Sequence, residues 1–156
     1  TVMHGWNYYW KSTHLPELDD DLIDVLTAHA FSCSSPRSYV ALFHLKGAVS
    51  RVAEGRTAYG NRQASHAITL DAVWRPGEEF GDHDTAWARR FFGALGRFRN
   101  GVYVNFLGGD EQPDRLSEAY GKSVYDRLVD VKSKYDPDNA FHHNQNIPPR
   151  LRSSSG

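Results

Sequence analysis

Tyr103 and Asn105 stand two residues apart in "GVYVNFLGGDE", residues 101–111. Side chains two apart on an extended strand share a face, so a phenol and an amide would point the same way. Asn is disfavoured in strands, and a buried amide needs several hydrogen-bond partners. A phenol oxygen beside an amide could exchange a proton or hold a ligand. Tyr103 also fits a core position satisfied by a single hydrogen bond, and the residues alone leave both readings open.

Other chemistry finds less support. There is no GxGxxG or Walker sequence, and "GALGRF" sits inside an amphipathic segment with the wrong spacing for a phosphate loop. No GxSxG elbow is present. The eight histidines are scattered singly apart from His142-His143, with no HExxH or CxxC beside them, so no metal site is expected. Adjacent histidines on an extended segment should point apart. The single cysteine, Cys33, excludes an intrachain disulfide framework.

The elements that must position Tyr103 and Asn105 follow from periodicity. Residues 2–10 read as a strand rich in aromatic and branched side chains. A helix is predicted over 18–31, with Leu18, Leu22, Val25, Leu26 and His29 on one face and Asp19 to Asp21 at its first turn. Strands follow over 38–45 and 64–74; in the second, Ile68, Leu70, Ala72 and Trp74 alternate with Ala67, Thr69, Asp71 and Val73. Residues 83–98 form an amphipathic helix with Trp87, Phe91, Leu95 and Phe98 as its apolar stripe. Residues 101–106 make a strand, 113–119 a short helix opened by Pro113, and 122–134 a helix stopped at Asp136-Pro137. This order predicts an α+β fold, an antiparallel sheet with helices packed on one face. The other face would need a cover, and left exposed it could pair two copies of the chain.

The chain has 156 residues, the size of one domain, and residues 1–149 are read as that domain. Residues 150–156 are read as a disordered tail or an expression scar. A net charge of −1 with scattered basic residues argues against nucleic acid as a partner. No apolar run is long enough to span a bilayer, and with no signal sequence a cytoplasmic location is expected.

The residues that carry a family resemblance lie at the C-terminal end. "GVYVNFLGGDE" and "YGKSVYDRLVDVKSKYDPDNAFHHNQNIPP" closely resemble the end of the berberine bridge enzyme-like, FAD-linked oxidases, which have the vanillyl-alcohol oxidase type fold. The matching positions are Tyr103, Asn105, Arg127, Leu128, Lys132, Asp136, Pro137, Asn139, Phe141, Gln145 and Ile147. "YYWKS", "HLKGAVSRV" and "RTAYGNRQASHAITLDAVW" are similar to upstream family segments, so the resemblance runs from about residue 6 to 149. One motif departs: Asn61 stands where the family has His, and His66 where it often has Tyr.

The resemblance implies the substrate domain and C-terminal segment of an oxidase that transfers hydride from an alcohol or amine to flavin. FAD would be held only with an N-terminal domain, which is not in this sequence and belongs to the same or a partner polypeptide; the chain alone would be inactive. Tyr103 is implied as the catalytic base, Asn105 and Gln145 as cofactor-binding, and Tyr59, Arg62 and His66 as substrate-binding. Lys132 and Asp136 are read as structural. A free phenol ionises near 10, so a base of this kind needs a cation or hydrogen-bond donors around its oxygen. The alternative is a stand-alone module that binds a small molecule or protein without redox chemistry.

Overall fold

A computed structural model describes residues 3–109 and 114–151. Its centre is a three-stranded antiparallel sheet in the order β1-β3-β2, formed by β1 (Asn7–Leu15), β2 (Tyr39–His44) and β3 (His66–Trp74). β3 is the middle strand and pairs along its length, from Asn7↔Trp74 to Leu15↔His66 on one side and from Tyr39↔Asp71 to His44↔His66 on the other. The fold is α+β, as expected.

The alternation in β3 decides the two faces. Ile68 and Leu70 pack with Leu15, Leu22, Trp87, Ala88, Phe91 and Leu95, so α1 (Asp20–Ala30) and α3 (Gly81–Ala94) cover one face. Burying each of these large side chains contributes roughly 1.5–3 kcal/mol. Asp19 caps α1 by accepting from the Leu22 amide at 2.9 Å. Asp84 in the first turn of α3 is fully buried and accepts from the Ser34 amide at 2.8 Å, the Ser35 amide at 3.0 Å and the Ser38 hydroxyl at 2.6 Å. It thereby ties α3 to the chain entering β2.

Three sequence expectations are corrected here. β1 does not span 2–10 but continues through Lys11-Ser12-Thr13-His14 to Leu15. Those polar residues are buried because the full nine-residue register with β3 carries them into the middle of the molecule. The expected strand over 101–106 is absent: Val104–Phe106 is a single 3₁₀ turn, closed by the Phe106 amide donating to the Tyr103 carbonyl at 2.8 Å. Before that turn the chain runs beside β1, where the His14 amide donates to the Gly101 carbonyl and the Asn100 amide to the His14 carbonyl. The Arg115 guanidinium donates to the Ser12 carbonyl at 3.0 Å, so the outer edge of β1 is occupied. The third correction concerns α3, which ends at Ala94 and tightens into a 3₁₀ turn over Gly96–Phe98 rather than running on to 98. A one-turn helix not anticipated in sequence, α2, covers Ala48–Arg51.

α4 (Asp114–Tyr120) and α5 (Lys122–Tyr135) follow, with Ala119 packed on Val102 and Leu107 in a second small core. Lys132 bonds both Asp136 and the Phe141 carbonyl, the structural role read from sequence. Arg150, placed at the head of the tail, is instead fixed to α5 through the Ser133 hydroxyl and the Asp130 carboxylate. The Asp110-Glu111 pair, the Pro113 helix start and residues 152–156 lie outside the described residues.

Candidate functional site

The face of the sheet opposite α1 and α3 carries His14 from β1, Ala67 from β3 and Phe43 from β2 in one row across the strands. The 3₁₀ turn 104–106 lies over this face, held by the Trp10 indole donating to the Phe106 carbonyl at 2.9 Å. Together with Val49 of α2 and the loop around Tyr59 they form a cavity of about 340 Å³. Its walls are mainly apolar, and its polar groups come from His14, Tyr59, Arg62 and Tyr103.

Tyr103 reaches the cavity although its segment is not a strand. Its ring stands edge-on to Phe106 at 5.4 Å and lies 5.6 Å from the Tyr59 ring. Asn105 donates its amide to the Tyr103 oxygen at 2.8 Å. The pair named from sequence therefore does meet, but through the tight turn and not through shared strand alternation. Gly101, with φ +82°, sets up this turn: a Cβ there would stand 2.4 Å from the Asn61 side-chain nitrogen. Asn61 itself has φ 59° and donates to the Glu118 and Ala119 carbonyls. It locks the loop to α4 and takes no part in the cavity lining.

Arg62 is buried. It donates to the Val49 carbonyl at 2.9 Å and the Thr57 hydroxyl at 2.5 Å, and its guanidinium stacks on Tyr59 at 5.1 Å. Its Nε has no hydrogen-bond partner. Burial pushes the Tyr59 phenol up, with Arg62 opposing that shift. Gln145 is exposed and donates to the Leu107 carbonyl at 3.2 Å, tying the C-terminal segment to the chain after the turn. His66 is not brought to the cavity. It pairs with Leu15 and His44 on the helix side of the sheet, and its ring bonds the Ser65 hydroxyl at 2.7 Å. His142 and His143 lie with ring centroids 4.7 Å apart, closer than an extended segment would leave them, because the chain bends there. No group of three metal-ligating side chains occurs among the described residues.

Sequence reasoning missed two polar groups on this face. Asp71 lies between Trp10 and Tyr39; one of its oxygens has no partner, and burial pushes its carboxyl up against a hydrogen bond from Thr69. His14 is the other. It is 1% exposed, and neither ring nitrogen has a hydrogen-bond partner. Burial first, then the Arg115 charge, lowers its pKa from 6.5 to about 4. The alternation of "KSTHL" after "YYW" could have found it, had the strand been extended to Leu15.

The unfolded chain takes up a proton on His14 below about 6.5, whereas the folded chain resists until about 4. Across that window the unfolded state binds more protons, so stability rises with pH and is unaffected by His14 above it. At 1.36 kcal/mol per pH unit, the full effect is about 3 kcal/mol. Denaturant melts at pH 4 and pH 7 should show it, and His14→Phe should flatten that slope by most of this amount.

Comparison with known proteins places the architecture. The family model "Berberine and berberine like" matches residues 102–148. The chain is similar to berberine bridge enzyme-like proteins. It is 26% identical to berberine bridge enzyme-like C-1 of Nicotiana tabacum over 86% of this chain and 29% of that protein. It is 36% identical to the FAD-linked oxidoreductase YgaK of Bacillus subtilis over 70% of this chain and 24% of that protein. Among solved structures, BBE-like #28 from Arabidopsis thaliana shares the fold with a TM-score of 0.80 at 21% identity, covering 94% of this chain and 34% of its own. The chain thus spans between a fifth and a third of the relatives it matches. FAD is the cofactor of this family, and its members are oxidoreductases acting on small molecules. Among the described residues no helix is long and apolar enough to cross a membrane.

Proposed function

We propose that this chain is the substrate-domain portion of an FAD-dependent oxidoreductase that oxidises an alcohol or amine, with Tyr103 as the base. The observation that carries the reading is the Asn105–Tyr103 hydrogen bond at the mouth of an apolar cavity. Tyr103 takes the proton from the substrate's hydroxyl or amine as the neighbouring C–H hydride departs and the C=O or C=N bond forms. Asn105 supplies a donor to the oxygen that carries negative charge before that transfer. Arg62 adds a buried cation beyond the Tyr59 ring. The apolar walls exclude water from the reacting atoms.

The described residues fit the ring end of FAD and not its phosphates. Tyr39 and Phe43, 40% and 45% exposed, offer a broad aromatic rim on the cavity face, whereas no described loop carries a glycine-rich phosphate cradle. Bound FAD supplies the two-electron acceptor. Gln145, by fixing the C-terminal segment to Leu107, would keep the Tyr103 turn in place against it. The aromatic rim is the surface for the FAD-binding domain of the same or a partner polypeptide, or for a second copy of this chain.

One observation favours the second reading, a binding module without redox chemistry: His14, Tyr59, Arg62 and Tyr103 already bring polar groups to an apolar cavity. Purifying the native polypeptide decides between the two. The oxidase reading expects a mass near three times that of this chain, bound flavin, and bleaching of the oxidised-flavin absorbance when alcohols or amines are added anaerobically. A flavin-free polypeptide that still binds alcohols would establish the module.

A further inference from the structure

We infer that His14 is a ligand-binding residue of the cavity, bonding one hydroxyl of an alcohol whose body is otherwise apolar and ring-sized. The inference rests on the reading of this cavity as the substrate site.

His14 comes from the buried half of β1, on the face where Ala67 and Phe43 continue its row. Both ring nitrogens are closed to bulk water and without a partner. A buried polar group left unbonded costs about 1–3 kcal/mol, so the arrangement is completed by a group that enters the cavity. A neutral imidazole offers one donor and one acceptor, which suits a neutral hydroxyl. The Tyr59 ring neighbours both polar ends, 6.3 Å from the imidazole and 5.6 Å from the Tyr103 ring. The ligand therefore spans an aromatic surface, with the reacting alcohol at Tyr103 and a second hydroxyl at His14.

The walls define what lies between. Phe43, Leu45, Val49, Ala67 and Phe106 present no hydrogen-bonding side chain. A polyol such as a free sugar would leave most of its hydroxyls unpaired there, whereas an aromatic or alicyclic ring would be covered. A site that bonds a particular hydroxyl discriminates strongly against the analogue lacking it.

The test uses the complete polypeptide carrying this chain and three probes: para-hydroxybenzyl alcohol, benzyl alcohol and glucose. Binding is measured by equilibrium dialysis, so it reads out whether or not any alcohol reduces flavin; a failure to turn over would sink the oxidase reading alone. Para-hydroxybenzyl alcohol is expected to bind about tenfold more tightly than benzyl alcohol, the scale of one hydrogen bond, and glucose to bind far more weakly than either. His14→Phe should abolish the tenfold preference for para-hydroxybenzyl over benzyl alcohol, and His14→Asn, which keeps a donor and an acceptor, should restore part of it. Nitrogen NMR of the wild type gives a readout that needs no variant: the His14 ring signals should move with para-hydroxybenzyl alcohol and stay with benzyl alcohol. An unchanged preference in His14→Phe, static His14 signals, or glucose bound as tightly as the ring alcohols would overturn the inference.

Discussion

Tyr103→Phe in the complete flavoprotein is expected to slow flavin reduction by about 10²–10⁴-fold, the usual contribution of a general base. That is roughly 3–5 kcal/mol of transition-state stabilisation. The phenylalanine ring keeps the edge-on contact with Phe106 and the contact with Tyr59, so the cavity wall survives. What is lost is the oxygen that Asn105 approaches. Binding of the ground state should change little, so the effect falls on kcat and not on KM. Anaerobic stopped-flow mixing isolates the step. Reduction at the wild-type rate would make Tyr103 a packing residue and return its oxygen to a structural role.

Asp84→Ala is expected to destabilise the fold by about 4 kcal/mol, because hydrogen bonds to a charged group are worth roughly 1.5–3 kcal/mol each and do not add fully. The carboxylate is fully buried, and the amides of Ser34 and Ser35 and the Ser38 hydroxyl would all lose their acceptor. The Ser38 hydroxyl also donates nothing to Val73 but accepts from its amide at 3.0 Å, so the loss reaches the central strand. Burial works to raise the Asp84 carboxyl, yet bonds from His83, Ser38 and the two amides hold it below the usual carboxylate range. Its contribution is therefore complete above the unfolded value near 4 and fades as the pH falls through the lower folded one. Calorimetry should find the melting temperature lowered by roughly 10 °C, at about 2–4 °C per kcal/mol for a chain of this size. A shift within 2–3 °C, roughly that of an ordinary surface substitution, would remove Asp84 from this role.

Trp87, Phe91 and Leu95 could be read directly, because a stripe at helical spacing has one reasonable use and the sheet provides the surface that it needs. The alternation in β3 is equally legible: it sorts Ile68 and Leu70 from Ala67, Thr69 and Asp71, and the structure turns the first set to the helices. Tyr103 and Asn105 were found for a reason that proved wrong in its geometry: a two-residue offset brings side chains together on a strand, but a 3₁₀ turn brought these together instead. His66 was placed in the site by its position in a motif, and strand parity turned it to the other side. His14 is legible only if the alternation of β1 is carried on to Leu15. Asp84 is out of reach: it is buried by partners more than 45 positions away in the chain, and local pattern carries no trace of them.

The strand order has a consequence for synthesis. β1 and β2 are not neighbours in the sheet; the strand each pairs with is β3, which lies between them in space and after them in sequence. With β1 ending at Leu15 and β3 beginning at His66, a ribosome adding about 5–20 residues per second exposes β1 for roughly 3–10 s before its partner exists. During that interval the aromatic half of β1, Tyr8, Tyr9 and Trp10, presents unpaired amides on a sticky ribbon. The nascent chain is thus most vulnerable to pairing with its neighbours on a polysome before the middle strand emerges, and the same middle strand ends that exposure for both partners at once.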